Sequence, residues 1–381
     1  MRTTRIVALA AALAAAAPAS AKDEKAPIKI GALLSVTGPA SFLGAPEART
    51  LEMLVEEANA KGGVDGRRIE LLLRDTGGSP EKAVSFARQL IDEENVFAIV
   101  GPATSGETMA VKPIAEETKT LLVSCAAAEV IVNPVASHVF KVAPKDSHAA
   151  EMIFRRMKKM GISRIGLLSS NTGFGKAGKE QVERLAPEHG IQVAVSEVYD
   201  KAATDLTAEV TKLKAANVQA VMNWSIEPAQ SIVIKNVRQI GLAVPVFQSH
   251  GFANVQYAKA AGAAAEGVMF PASRVVVAET LAAAHPQKPV VAAYKRAYET
   301  RYKEDVSTFG GHAWDAFHLL VNAIRKGGGD RAKARDVLET TTGFVGTAGV
   351  FNFSPADHTG LALDAFQMIV VKDGRFAVLP E

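Results

Sequence analysis

Short apolar runs alternate with amphipathic stretches along nearly the whole chain. The runs predict strands at 28–34, 68–74, 96–100, 120–124, 139–142, 164–169, 192–198, 219–224, 244–248 and 267–270. Several are unbroken, such as Phe97-Ala-Ile-Val100 and Ile165-Gly-Leu-Leu168. Such runs suit strands covered on both faces by helices. Between them the period changes from strand to helix. In 79–94, Ser79 is an N-cap, Pro80 takes the first helical position, and Ala83, Ala87, Leu90 and Ile91 share one face. Alternating β-α-β units imply parallel sheets with right-handed crossovers.

The alternation breaks at Val142-Ala-Pro-Lys145 and restarts at Ser163. It breaks again at Phe270-Pro-Ala-Ser273, and two helices follow at about 287–303 and 310–326. Strands return near Gly349-Val-Phe-Asn-Phe353 and end with 366–371 and 375–378. The expected architecture is α/β, with two doubly wound, mostly parallel sheets in two lobes crossed several times by the chain. Residues 22–145 with 272–350 form one lobe, and 146–271 with 351–381 the other.

The N-terminus changes where this fold is expected to work. Arg2 and Arg5 precede the uncharged run Ile6–Ala17, and Ala19-Ser-Ala21 fits a cleavage site. Residues 1–21 read as an export signal cleaved after Ala21, too short to span a bilayer, which places the mature chain in the periplasm. The remaining length suits two domains. A 48% hydrophobic, 22% charged chain with a net charge of +3 spread along it carries no nucleic-acid footprint. The single cysteine, Cys125, forms no internal disulfide.

Candidate chemistry is sparse. Gly173-Phe-Gly-Lys-Ala-Gly178 matches G-x-G-x-x-G, and Glu197 and Asp200 stand where a ribose-binding acid would. The spacer between strand and first glycine is too long for that fingerprint, and export removes the chain from the cytoplasmic nicotinamide pool. An exported NAD-dependent enzyme therefore stays only as an alternative. Ser79-x-x-Lys82 lacks its companion motifs and reads as a helix cap. Asp357-His358 reads as a surface turn. No cofactor and no metal site is expected.

Strand ends carry the binding candidates, because open α/β sheets bind ligands beyond the carboxyl ends of their strands. Gly101-Pro-Ala-Thr-Ser-Gly106 opens a helix there, so its N–H groups with Thr104 and Ser105 make an anion site. Ser124-Cys-Ala-Ala-Ala128 lines the neighbouring mouth with small residues. Phe174, Trp224, His250 and Gly251 stand at strand ends of the second lobe.

Ser35-Val-Thr-Gly-Pro39 with Gly44, Asn59-Ala-Lys-Gly-Gly-Val64, Val100-Gly101 with Ser105, Ser124 with Ala126–Ala128, Phe174-Gly175, Gly241-Leu-Ala-Val-Pro245, Ala265-Glu-Gly267 and Trp314-Asp-Ala316 occur in that order. In this ordered set the chain resembles the periplasmic binding proteins of branched-chain amino-acid ABC transporters. The resemblance implies a two-lobed Venus-flytrap fold with three hinge crossings, a membrane permease as partner and no catalysis. It implies that Ser105 and the loop Ala126, Ala127, Ala128 bind a carboxylate, that Leu43 or Phe42 covers the ligand, and that Phe174 and Trp224 are cleft aromatics. Where amino-acid binders hold the ligand's ammonium with an acidic residue, His250 stands instead. A buried ammonium without an anionic partner costs several kcal/mol. The expected ligand is therefore an aromatic or hydrophobic carboxylate without an α-amino group, captured by a monomer. A branched-chain amino acid is the alternative ligand, and a sensor of the same fold the alternative role.

Overall fold

The structure, a computed structural model, describes residues 26–380. The export segment expected over 1–21 lies outside them. The first lobe runs β1 (Ile28–Leu34), α1 (Ser41–Ala60), β2 (Ile69–Asp75), α2 (Pro80–Arg88), β3 (Ala98–Val100), α3 (Ser105–Thr118), β4 (Leu121–Ser124) and β5 (Val139–Lys141). These strands form a wholly parallel sheet in the order β2-β1-β3-β4-β5. The second lobe continues with α4 (Asp146–Lys159), β6 (Arg164–Ser170), α5 (Gly173–Leu185), β7 (Gln192–Tyr199), α6 (Thr207–Ala215), β8 (Ala220–Trp224), α7 (Ala229–Gln239), β9 (Val246–Gln248), α8 (Val255–Ala261) and β10 (Met269–Ala272).

The chain then returns to the first lobe with α9 (Lys288–Tyr302), α10 (Thr308–Lys326), α11 (Arg331–Glu339) and a short hairpin of β11 (Phe344–Val345) and β12 (Val350–Phe351). It ends in the second lobe with β13 (Gln367–Lys372) and β14 (Arg375–Val378). The second sheet has the order β14-β13-β10-β9-β8-β6-β7. It is parallel from β10 to β7, and β13 and β14 are antiparallel at one edge.

Each sheet is buried on both faces, as the unbroken apolar runs require. On β1, Ile28, Ile30, Ala32 and Leu34 pack with α1 and α10, while Leu33 faces Leu90, Ile99 and Val111 on the other side. Side-chain caps start the helices: Ser79 accepts from the Lys82 N–H, Thr172 from that of Gly175, and Ser307 from that of Gly310. The helix expected over 79–94 keeps regular α geometry only to Arg88, and its last turn, Gln89–Glu93, widens to a π-turn.

Three segments cross between the lobes: β5 to α4, the end of β10 to α9, and the stretch before β13. The third crossing differs from the expected boundary at 351. Phe351, Phe353, Leu361 and Ala365 fill the first-lobe core beside Ile28 and Phe317, and Phe366 is the first residue of the second-lobe core. Alternating Val350-Phe-Asn-Phe353 has the pattern of a strand, but it closes a two-stranded hairpin on the first lobe instead of extending the second sheet.

The lobes are closed on each other. Asn254 Nδ2 donates to the Phe42 carbonyl at 2.8 Å, the Thr308 N–H to the Ala253 carbonyl at 3.2 Å, and Lys259 pairs with Asp305 at 2.8 Å. The tightest approach is between helix starts. A Cβ on Gly173 would lie 2.7 Å from the Gly106 Cα, whereas one on Gly106 would keep 3.8 Å from the nearest Gly173 atom. The two glycines should therefore respond differently. Gly173→Ala is expected to oppose closure by about 1–3 kcal/mol, weakening binding in the cleft roughly 5- to 150-fold. Gly106→Ala is expected to change neither the radius of gyration in small-angle scattering nor affinity. Equal behaviour of the two variants would refute the closed contact.

Candidate ligand-binding site

Both sheets reverse strand order at β1/β3 and at β6/β8, and the carboxyl ends of these strands face each other across the cleft. That is where such sheets hold ligands. A small internal cavity of about 20 Å³ lies there. The first lobe lines it with Leu43, Ala103, Ser105, Cys125, Ala126 and Ala127, and also with Phe309 and His312 from the first turns of α10. The second lobe contributes Phe174, Ile226, His250 and Gly251.

Ser105 is the first residue of α3 and is buried. Its Oγ accepts from the Ala128 N–H at 3.2 Å, which leaves the hydroxyl proton for a ligand oxygen. The first-turn N–H groups of Ser105 and Gly106 have no intrahelical acceptor and carry the positive end of the helix dipole. Thr104 is different. Its Oγ1 donates to Glu107 Oε2 at 2.6 Å and accepts from the Glu107 N–H at 3.4 Å, while its own N–H returns to Glu107 Oε2. This closed capping box occupies Thr104, which lines only the wider mouth of the cleft. The expectation of a Thr104 anion contact is corrected accordingly.

The loop after β4 is held from beneath. The Ser124 Oγ accepts from the Ala126 N–H at 3.1 Å. Lys141, at the end of β5, is wholly buried, and its Nζ donates to the carbonyls of Ala127 at 2.9 Å, Ala143 at 2.6 Å and Pro144 at 3.3 Å. One ammonium thus ties the cavity wall to the first lobe crossing. Burial pushes it down, to about 7, against the attraction of Asp146. Burial likewise pushes Asp146 up, to about 6, against Lys141. Asp146 Oδ1 accepts the N–H groups of Glu129 and Ser147, and among the described residues no direct ion pair joins the two.

Across the cleft, His250 occupies a single turn after β9, with its ring set edge-on to Phe174, Trp224 and Phe366 at 5.3, 5.7 and 5.4 Å. Burial, reinforced by Lys141 and His312, holds its pKa well below the usual imidazole range. His312 is pushed down to about 3 by burial and Lys141. Both imidazoles are therefore neutral. Gly251 has no room for a side chain: a Cβ would lie 2.4 Å from the Ser225 carbonyl oxygen.

Leu43, Ser105, Ala126, Ala127, Phe174, His250 and Gly251 thus meet at one cavity; all but Leu43, which the resemblance implied and which lies in α1, follow strand ends. Of the pair Leu43 or Phe42, Leu43 faces the cavity. Phe42 packs edge-on against Tyr257 at 5.0 Å. Ala128 lies one residue beyond the wall and acts through its N–H on Ser105. Trp224 is wholly buried behind Phe174 and His250 and does not line the cavity. Ala103, Cys125 and Ile226 neighbour anticipated positions. Phe309 and His312 carried no signal, since their helix lies far along the sequence and reads as a plain amphipathic element.

The glycine fingerprint has a packing explanation. A Cβ on Gly175 would lie 2.0 Å from the Ser170 carbonyl oxygen, and one on Gly178 2.0 Å from Trp224 Nε1. With Gly173 against Gly106, all three glycines admit close neighbours. The acids that could bind a ribose are engaged: Asp200 by Asn171 Nδ2 at 2.8 Å, and Glu197 by Lys212 at 2.9 Å. His358 is not on a surface turn. It is buried, stacked 3.9 Å above Phe140, and bonded to the Val139 carbonyl and Glu339. Among the described residues no group of three or more His, Cys, Asp or Glu is gathered to hold a metal.

Comparison with known proteins agrees with this geometry. The periplasmic binding protein family's sequence model matches residues 27–375. A leucine-, isoleucine-, valine-, threonine- and alanine-binding protein of Pseudomonas aeruginosa is 28% identical over 90% of this chain and 92% of its own. An extracellular ligand-binding receptor of Rhodopseudomonas palustris HaA2 superposes with a TM-score of 0.87 at 28% identity, covering 93% of this chain and 99% of its own. A solute-binding protein of an ABC transporter from Rhodopseudomonas palustris BisB5, in complex with 3,4-dihydroxybenzoic acid, superposes at 0.78 with 18% identity, covering 92% and 95%; this last likeness bears on the fold alone.

Lys141 gives the site a pH signature. A bound anion favours the ammonium, so binding takes up a proton once the free protein loses it above about 7. Affinity for a carboxylate is expected to fall as pH rises past that value, by at most about tenfold per unit. The free protein should show the opposite slope. Between about 7 and the ordinary lysine value of 10.5, the unfolded chain holds more of this proton, so Lys141 alone makes stability rise with pH. Calorimetric titrations across this range should show the decline in the wild type and a flat profile in Lys141→Met. A decline that persists in the variant would remove Lys141 from the account.

Proposed function

Because this chain belongs to the periplasmic binding protein family, whose members carry small solutes to ABC permeases and are not enzymes, we propose that it captures a carboxylate lacking an α-amino group, with an aromatic or hydrophobic body. The observation that carries this is the charge inventory of the cavity. None of its lining side chains is a carboxylate, and two of them are histidines that burial, with the field of the buried Lys141 added, holds neutral. An anion gains from that field, whereas an ammonium placed there has no counter-charge.

The first lobe presents the Ser105 hydroxyl and the α3 N-terminus to the carboxylate. Charge-assisted bonds of this kind contribute roughly 1.5–3 kcal/mol each. Leu43, Ile226, Phe174 and Phe309 form apolar walls for the ligand body. Closure brings the second-lobe walls over it, as in hinge-bending binding proteins. Micromolar binding needs about 8 kcal/mol, within reach of two or three such bonds and one buried apolar group. The protein works as an extracytoplasmic monomer, and its closed form docks on the permease.

A branched-chain or other hydrophobic amino acid is the second reading, favoured by the named specificity of the Pseudomonas relative and by Glu227. This carboxylate lines the mouth beside Thr104 and Phe174, although its Oε2 already accepts from Ser225 Oγ at 2.6 Å and from the Ile226 N–H at 3.2 Å.

Isothermal titration with benzoate, phenylacetate and leucine separates the two readings. The first expects acid binding without leucine binding, and a loss of about 1–3 kcal/mol in Ser105→Ala. Tight leucine binding that Glu227→Gln abolishes, with no response to either acid, would overturn it.

A further inference from the structure

The cavity wall is apolar except at four side chains: Ser105, Cys125, His250 and His312. The two histidines are 6% and 4% exposed. Both ring nitrogens of His250 and Nδ1 of His312 have no hydrogen-bond partner among the described residues. A buried polar atom left in this state is costly, so these three call for a partner that no described residue supplies. The rings are also fixed. His250 is wedged edge-on among Phe174, Trp224 and Phe366, and His312 stands edge-on to Phe309 at 6.1 Å.

From this geometry we infer that His250 and His312 form a polar subsite, shared between the lobes, that takes a hydroxyl group carried on the body of the acid. The inference rests on the carboxylate reading above and narrows it to hydroxylated aromatic acids. A neutral imidazole carries one N–H donor and one bare acceptor nitrogen. A hydroxyl both donates and accepts, so it satisfies one histidine as donor and the other as acceptor. An ammonium could only donate, and a methyl group could do neither. His250 comes from the second lobe and His312 from the first, so both reach one hydroxyl only when the lobes close. The hydroxyl thereby contributes to closure as well as to recognition.

Calorimetry of the mature protein with benzoate, 3-hydroxybenzoate and 4-hydroxybenzoate tests this. At least one hydroxylated acid should bind about tenfold more tightly than benzoate, the worth of one or two hydrogen bonds. His312→Leu and His250→Phe should each erase that preference, read as the ratio of hydroxybenzoate to benzoate affinity within the same variant. A second measurement needs no variant: in protein labelled with ¹⁵N-histidine, the hydroxylated acid should shift the imidazole nitrogens of both residues and benzoate should not. Equal binding of all three acids by the wild type, with benzoate bound well, would overturn the subsite and leave the carboxylate reading standing. A preference that survives in both variants would do the same. Absence of binding by any acid would overturn both.

Discussion

A lysine ammonium sealed from water by three backbone carbonyls is the constraint on which the cleft depends. Lys141 ends a buried strand, so its stem has no route to solvent and its charge must be met where it is. The carbonyls of Ala127, Ala143 and Pro144 meet it. The first of these belongs to the cavity wall and the other two to the first crossing between lobes, so loop and hinge share one fixed point. The charge then acts at longer range. Burial alone would depress the two cavity histidines, and Lys141 depresses them further. The site's polarity thus follows from burial first, and then from a residue that does not line it.

The sheets were legible because parallel strands buried on both faces must be apolar throughout, and few other elements of that length are. Most strands fall within two residues of the unbroken runs. The breaks at Val142–Lys145 and Phe270–Ser273 mark true crossings. The third crossing was not legible. Phe351 and Phe353 alternate with polar residues as an edge strand does, and alternation carries no information about which lobe receives the apolar face. In the structure Phe353 packs edge-on to Phe140 and against Phe351 within the first-lobe core.

The candidate binding residues divide along similar lines. Ser105, Ala126 and Ala127 follow strands directly, so strand-end position finds them. Trp224 also ends a strand, but Gly178 leaves a notch into which its indole sinks, and Phe174 takes the exposed place in front of it. Phe309 and His312 come from α10, which reaches the cleft only because the chain has already crossed between lobes twice. A local pattern cannot report a neighbour supplied by discontinuous topology. The glycine fingerprint misled in the opposite direction. Its spacing of one helical turn suits close approach of a phosphate, of another helix or of a tryptophan alike, and here the lobe interface and Trp224 account for it.

Charge is what separates the two ligand classes. An α-amino acid and its amine-free analogue present the same carboxylate, so Ser105 and the α3 N-terminus cannot tell them apart. Discrimination falls to whatever meets the amine. Lys141 stands behind the wall that Ala127 forms, and like charges repel more strongly in a low-dielectric interior than in water, so a zwitterion would bring its cation into an unfavourable field. The acids that could offset this are poorly placed. Glu227 stands at the mouth and already accepts two hydrogen bonds. Glu47 is wholly buried in the first lobe, and burial, with Glu107 beside it, raises its pKa well above the carboxylate range, so it carries no charge to lend. A neutral histidine at position 250 accepts a hydrogen bond from an ammonium without balancing its charge, whereas it bonds fully with a hydroxyl. On the carboxylate reading, selection against an amine would arise from a cation behind one wall and a lining that holds no carboxylate.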